Sequence, residues 1–194
     1  MNSKTSICNL ALAYLGQAPI SSLEQENEKA RWLKLFYFPV LEEVLRTHDW
    51  AFAATQKQLV RVSGLAESEG KYVYKYPADA LFIRRVVAGN TSLAQSFTQY
   101  FDTSRHMRVL VTTAAQAVAH YTRRITDPTQ YDPAFVKCFA LALACDTALA
   151  LTGDVDLTAR LQQKYALYLQ EARRTNTTEI YQHTGQDDAF SEVR

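Results

Sequence analysis

Two Asp-Pro pairs lie five residues apart, just ahead of a long alanine-rich apolar run, in the stretch YTRRITDPTQYDPAFVKCFALALACDTALALTGD. Asp127-Pro128 ends the preceding element, because proline keeps the residue before it out of the helical region. Asp132-Pro133 begins the next helix, since the Asp132 carboxylate can accept hydrogen bonds from free amides and Pro133 fits the first helical position. The stretch therefore predicts one long apolar helix that begins at Pro133 and ends before Gly153.

Apolar residues repeat at helical spacing near both ends of the chain, where they predict further helices. The predicted helices are those of residues 3–16, 24–48, 133–151 and 156–174. Ala140, Ala144 and Ala148 form a stripe of small side chains, which lets a second helix approach closely. The sequence therefore predicts an antiparallel helical bundle built from the N- and C-terminal helices.

Between these helices the pattern changes to β-rich runs separated by Gly, Asn and Ser, which indicate a β-sheet inserted in the bundle. Gly89-Asn90 is typical of a hairpin turn, and the run AQAVAHYTRRIT is interpreted as extended. The predicted class is α+β. Its parts are N-terminal helices in 1–50, an inserted β-rich region in 51–126, C-terminal helices in 127–175 and an extended C-terminal arm in 176–194.

The last twenty residues, TNTTEIYQHTGQDDAFSEVR, are polar and break the helical period. Their isolated apolar residues, Ile180, Tyr181 and Phe190, cannot form a core of their own. Two interpretations stay open for this segment: a frayed end, or an arm whose few apolar side chains dock on a partner.

Composition excludes several classes of function. Lys and Arg number 21 against 20 for Asp and Glu, so the chain has no bulk positive charge of the kind that drives nonspecific nucleic-acid binding. Cys8, Cys138 and Cys145 are odd in number and lack the spacing of a zinc site, which favours buried thiols in a reducing compartment. The N-terminus has no signal-like run, and no apolar stretch is long and pure enough to predict a membrane span.

Candidate catalytic groups are scattered along the sequence. The four histidines lie far apart, and His48-Asp49 has no nucleophile in its neighbourhood. Glu42 and Glu43 are adjacent on a helix, where side chains diverge by about a hundred degrees, so they cannot flank one bond. The sequence contains no phosphate-binding glycine loop. The basic pairs at positions 84–85, 123–124 and 173–174 fit either surface ion pairing or contact with an acidic surface or with DNA.

Four patches of the sequence occur in an order typical of one family. They are NLALAYLGQAPISSLEQENEKA, FPVLEEVLRTHDWAFAATQKQL with Trp50 and Phe52, YKYPADALFIRRV with Pro77 and Asp79, and the double Asp-Pro stretch. In these patches the chain resembles the head-to-tail adaptor proteins of short-tailed bacteriophages, also called tail tubular protein A. The resemblance covers most of residues 7–172, whereas residues 90–115 and the C-terminal arm match no motif of the family.

The resemblance implies a structural virion protein at the head-tail junction, made in the host cytoplasm, and not an enzyme. Such a protein forms a ring, commonly a dodecamer in that family, between the portal protein and the tail nozzle or tail fibre protein. DNA passes through the lumen without sequence-specific binding. No cofactor, metal or membrane partner is expected, and the expected portal-binding arm carries Ile180, Tyr181, Phe190 and Arg194.

Two alternatives come from other classes of function. A tail-associated hydrolase of cell-wall glycan would need convergent carboxylates from distant segments, for example Glu43 and Asp146. A small DNA-binding regulator would need a recognition helix rich in Arg, Asn and Gln, whereas the predicted helices carry Leu, Ala and Tyr. The mass of the particle separates a ring subunit from a monomeric enzyme.

Overall fold

A computed structural model describes residues 2–63, 70–89 and 93–182, with the backbone alone described in 177–182. Over these residues the fold is α+β, with four α-helices and two antiparallel sheets. The chain divides into two compact units: Ala53–Arg124 forms a strand unit, and the chain on either side of it, Met1–Phe52 with Ile125–Arg194, forms a helical unit.

The helical unit consists of four helices, each with a definite start. The helices are α1 Lys4–Tyr14, α2 Glu28–Thr47, α3 Pro133–Thr152 and α4 Val155–Gln182. Asp132 begins α3 as the sequence predicts, because its carboxylate accepts from the amides of Ala134 at 2.7 Å and Phe135 at 3.3 Å. Gly153 ends the helix with a left-handed φ of 66°, and its amide donates to the Leu149 carbonyl.

The first Asp-Pro pair also begins a helical turn. Pro128–Gln130 is a short 3-10 helix, and the Asp127 carboxylate accepts from the backbone amide of Thr129 at 3.0 Å and from its hydroxyl at 2.8 Å. These hydrogen bonds lower the pKa of Asp127. The two Asp-Pro pairs are therefore two successive caps, one for a single turn and one for a long helix.

Helix α3 lies at the centre of the helical unit, and this corrects the predicted antiparallel bundle. Residues 138–144 are all buried, and seven consecutive residues cover two full turns, so this part of α3 has no solvent face. Helices α1, α2 and α4 each pack on α3. A bundle helix keeps one polar face, whereas the Ala, Leu, Phe and Cys side chains of α3 are apolar all round and allow it to be covered on several sides.

Helix α3 is also long and apolar enough to cross a membrane, with a mean hydropathy of 1.8 over an 18-residue window. More than half of that window, 56%, is buried within the protein. The core helix of a globular protein meets the same two criteria, so length and composition do not assign α3 to a membrane.

Helix α4 continues to Gln182, so the predicted extended arm is wrong for residues 176–182. Asn176 explains the difference, since it is buried and polar. Its carboxamide accepts from the amide of Ala51 at 3.0 Å and donates to the carbonyl of Asp49 at 3.0 Å. A polar side chain thus occupies a core position of α4, and the apolar period on which the sequence prediction relied misses it. The rest of the predicted arm, 183–194, lies outside the described residues.

The strand unit holds two antiparallel sheets where the sequence predicted one. The strands are β1 Ala54–Gln58, β2 Tyr72–Lys75, β3 Ala80–Ala88, β4 Ala94–Gln95, β5 Phe97–Asp102, β6 Met107–Thr112 and β7 Ala117–Arg123. Their order is β1-β7-β3-β4 in one sheet and β2-β6-β5 in the other. The extended interpretation of residues 117–123 is confirmed, because β7 pairs with both β1 and β3.

Tyrosine hydroxyls are bonded inside the core of the strand unit. Tyr74 is 2% exposed and its hydroxyl donates to the Ala114 carbonyl at 2.6 Å. Tyr121 donates to both carboxylate oxygens of Asp79, at 3.0 and 3.1 Å. Burial and the bond to Asp79 raise the pKa of Tyr121 to about 12. These rings fill the core without leaving a polar atom unbonded.

Candidate functional site

The predicted structural motifs occupy defined places in each unit. Trp50 is 1% exposed, its indole Nε1–H donates to the Val44 carbonyl at 3.0 Å, and its ring packs edge-on against Phe135. Phe52 also packs on Phe135, with 4.9 Å between the ring centroids. In the strand unit, Asp79 holds the Tyr121 hydroxyl. These residues support the fold rather than present reactive groups.

Pro77 lies in a surface groove at the ends of β1 and β2, with a volume of about 230 Å³. The residues that line the groove include Lys57, Leu59, Val60, Lys75, Tyr76 and Pro77. Leu59 and Tyr76 are each 7% exposed, whereas Val60 is 67% exposed. The groove therefore has an apolar floor and an apolar rim.

Positive charge surrounds this groove. Lys57 and Lys75 are both exposed, and no ion pair of either lysine occurs within the part of the chain that the structure describes. The guanidinium of Arg108 lies 3.9 Å from the centroid of the Tyr76 ring. Asp79 is the acidic residue nearest to Lys75 along the chain, and its carboxylate accepts a hydrogen bond from the Tyr121 hydroxyl. The arrangement suits an anionic group attached to an apolar side chain.

Strand β5 is a second exposed feature of the strand unit. It is an edge strand, and its residues from Thr98 to Phe101 are exposed on both faces of the sheet. Tyr100 and Phe101 are 47% and 53% exposed. An edge strand of this length that carries neither Lys nor Pro has none of the usual protection against pairing with another chain.

The structure brings Glu43 and Asp146 into electrostatic range on the helical unit. Burial, and then the charge of Glu43, raise the pKa of Asp146. Burial is also the main cause that raises the pKa of Tyr165 to about 12, with Glu43 among the lesser ones. Glu43 and Asp146 are nevertheless exposed side chains. A glycan hydrolase would need convergent carboxylates, for which Glu43 and Asp146 are one example, and these two groups interact electrostatically in the structure.

No other catalytic or metal-binding arrangement is found where the structure describes the chain. Within 2–63, 70–89 and 93–182, no group of three or more His, Cys, Asp or Glu side chains could hold a metal. Burial raises the pKa of the Cys8 and Cys138 thiols to about 12 and that of Cys145 to about 11, which keeps them protonated and poorly nucleophilic.

The histidines are not brought together. His48 lies 2.9 Å, through Nε2, from the Asn176 amide nitrogen, and that amide is oriented by its bonds to the backbone. His106 lies in the turn between β5 and β6 with a φ of 50°, and His120 is half-buried in β7. His183 lies outside the described residues.

Two of the three predicted basic pairs have a member with a structural role. Arg84 donates through Nε to the Thr122 hydroxyl at 2.8 Å, and its guanidinium lies over the Phe82 ring. Arg173 donates to the Thr47 carbonyl at 2.8 Å and so ties α4 to the end of α2. Sequence reasoning missed this role, since two adjacent arginines are typical of a solvated surface and nothing in the spacing of Arg173 marks it as a core contact.

The structure describes only two of the four predicted portal-binding residues. Ile180 and Tyr181 belong to the last turns of α4, where the backbone alone is described. Phe190 and Arg194 lie outside the described residues. The groove lysines were not predicted as a site, because Lys57 and Lys75 are eighteen positions apart. They are brought together by hydrogen bonds between β2 and the residues that follow β1, such as the one from the Lys75 amide to the Val60 carbonyl.

The sequence matches no protein-family model and no curated protein. Membership of the adaptor family, which the four sequence patches predict, therefore stays a prediction.

Proposed function

We propose that this chain is a structural virion protein: the head-to-tail adaptor subunit that assembles into a ring between the portal protein and the tail nozzle or tail fibre protein. The observation that carries the proposal is the amount of apolar surface left uncovered on both units. Leu35 on α2 is 62% exposed, Leu167 on α4 is 70% exposed, and Phe101 on β5 is 53% exposed. In the proposed assembly these exposed side chains are covered by neighbouring subunits or by the portal and tail proteins.

A closed head-to-tail ring needs two different surfaces on every subunit, one for each neighbour. The helical unit offers exposed apolar side chains on α2 and α4, and the strand unit offers the β5 edge. These surfaces differ in kind, since one presents side chains and the other presents unpaired backbone groups. The chain thus has the two distinct surfaces that a head-to-tail ring of any size requires, and the number of twelve subunits comes from the resemblance to the adaptor family.

Charge supports a channel wall through which DNA slides. The net charge of the chain is +1, so the ring as a whole would attract phosphates weakly. Basic side chains such as Arg84 and Arg173 are engaged with neighbouring oxygens of the same chain. In this proposal the subunit is made in the host cytoplasm and functions at the head-tail junction, where Ile180 and Tyr181 at the end of α4 contact the portal.

Mass and attachment test the proposed function together. Light scattering on the purified chain is expected to give a particle of many subunits, alone or after mixing with portal-bearing heads, and the chain is expected to co-sediment with DNA-filled, tailless heads. The double variant Ile180→Ser/Tyr181→Ser should stay folded by circular dichroism and lose co-sedimentation, whereas the control variant Leu149→Ser, at an exposed position of α3, should keep it. A chain that stays monomeric and never binds such heads would refute the adaptor function.

A second candidate function, hydrolysis of cell-wall glycan, is favoured by one observation. Burial and the charge of Glu43 raise the pKa of Asp146, and two carboxyl groups of which one has a raised pKa are the arrangement that glycan hydrolysis uses. Purified chain incubated with peptidoglycan should then release reducing ends, and Glu43→Gln and Asp146→Asn should each abolish that release. Equal release by both variants and the unchanged chain would remove this candidate.

A further inference from the structure

The groove at the ends of β1 and β2 has the chemistry of a binding site for an acidic segment with an aromatic anchor. We propose that it receives residues 183–194 of a neighbouring copy of the same chain. This inference rests on the ring assembly of the proposed function and names one contact by which neighbouring subunits are joined.

The apolar part of the groove fits a single side chain. Its volume of about 230 Å³ is below the range of pockets that enclose a drug-sized ligand. Leu59 and Tyr76 form the floor, and the exposed Val60 forms one rim. An aromatic ring placed there would cover Val60, which no neighbour in the described chain covers enough to bury. The groove is thus shaped for one anchor and not for a cofactor.

The charges of the groove and of the chain's last residues are complementary. Lys57 and Lys75 flank the groove, and the segment HTGQDDAFSEVR places Asp187, Asp188 and Glu192 around Phe190. Acids lie on both sides of the only aromatic residue of that segment, so the ring can enter the groove while the carboxylates face the two lysines. A segment without acidic residues would make only the apolar contact with the floor of the groove.

The length of the segment permits the contact. Helix α4 ends at Gln182, and Phe190 follows eight residues later. Eight residues span at most about 26 to 29 Å, which is the distance over which Phe190 can reach a groove on a neighbouring subunit. A ring also needs one donating and one receiving surface on each subunit, and a chain end and a groove on the strand unit supply two that differ. A neighbouring copy is therefore the occupant.

Charge reversal in the full-length chain tests the contact. Lys57→Glu/Lys75→Glu in the groove and Asp187→Lys/Asp188→Lys in the segment should each raise the concentration needed for assembly by about tenfold or more at low salt. The chain that carries all four changes should recover assembly, because each lysine again faces a carboxylate. Phe190→Ala should weaken assembly without altering its salt dependence. Light scattering gives the mass, and circular dichroism checks that each variant is folded.

The control is Lys71→Glu/Arg85→Glu, which makes the same change of charge at two exposed positions of the strand unit outside this groove. It should assemble as the unchanged chain does. Normal assembly by the groove variant, or no recovery by the four-change variant, would overturn the docking and leave the adaptor function standing. Intact rings of the segment variant that no longer bind heads would assign the segment to the portal and likewise overturn it. A wild-type chain that never assembles would overturn both.

Discussion

The two units bury their aromatic rings in different ways. In the helical unit Trp50, Phe52, Tyr131, Phe135 and Phe139 pack ring against ring, with centroids between 4.9 and 6.4 Å apart. In the strand unit rings instead meet cations or oxygens: Arg61 lies over Tyr72, Arg108 over Tyr76, and the Tyr74 and Tyr121 hydroxyls are bonded.

The difference follows from what each kind of element leaves exposed. Helices satisfy their own backbone, so several of them can close around α3 and exclude water from a largely apolar cluster, in which the Trp50 indole and the Tyr131 hydroxyl donate to backbone carbonyls. The two sheets of the strand unit are small, and each keeps edges and one partly wet face, so a ring there meets polar groups at its margin. The helical unit thus gains stability from packing, and the strand unit depends more on particular polar contacts.

Removal of the Trp50 ring from the helical cluster should have the largest effect. Trp50→Ala is expected to lower the free energy of unfolding by about 3 to 5 kcal/mol, because it leaves a cavity and removes the hydrogen bond that the indole donates to the Val44 carbonyl. Urea denaturation followed by circular dichroism measures the loss. Trp50→Phe, which keeps a ring, should cost clearly less, and an unchanged midpoint for Trp50→Ala would contradict the packing argument.

In the strand unit, removal of the Tyr121 hydroxyl alone should lower the free energy of unfolding measurably. Tyr121→Phe keeps the ring and removes the bond to Asp79, so it should cost about 1.5 to 3 kcal/mol, the range for hydrogen bonds to charged groups. Tyr74→Phe, which loses a bond to a neutral carbonyl, is the matched control and should cost about 1 kcal/mol. Equal losses would mean that the charge of Asp79 contributes nothing.

Alkaline pH should increase the difference in stability that depends on the Tyr121 hydroxyl. The pKa of Tyr121 is about 12 in the folded protein and near 10 when unfolded, so the folded state holds its proton more tightly. Its contribution to stability is full below pH 10 and is lost as the pH rises from 10 towards 12. Denaturant titrations across this range should show a smaller decline for Tyr121→Phe than for the unchanged chain.

The two residues of the second Asp-Pro pair should differ in a modest but measurable way. Asp132→Ala removes two hydrogen bonds from the start of α3 and should cost about 1 kcal/mol. Pro133→Ala should cost less, since alanine keeps the helix and the proline amide had no partner to lose. Thermal unfolding compares them, and a reversed order would place the start of the helix elsewhere.

The smallest expected effect is a gain in stability when Asp146 is replaced. Burial and Glu43 raise the pKa of Asp146 in the folded protein, so ionising this carboxyl above its unfolded pKa destabilises the fold. Asp146→Asn should therefore stabilise the protein at pH 7 by about 0.5 kcal/mol, a value kept low because the side chain is exposed to solvent. The gain should disappear at acid pH, where the wild-type carboxyl is protonated. A loss at pH 7 would contradict this sign.

The amino-acid sequence by itself determined the local structure. Asp132, Pro133 and Gly153 set the ends of α3 because caps act through bonds between residues a few positions apart. The same local logic places the extended run of β7 and separates a helical part from a strand part of the chain. These are properties of short segments, and short segments are what a sequence displays directly.

Tertiary structure alone decided which surfaces meet. Three features depend on residues far apart in the chain. Helix α3 lies at the centre and not in a bundle, and Asn176 is bonded to three backbone and side-chain partners. Lys57 lies with Lys75 beside Tyr76 in one groove. Such contacts depend on the packing of whole elements, which periodicity does not encode. A polar residue in a core position and a groove between two strand ends exist only once the chain has folded.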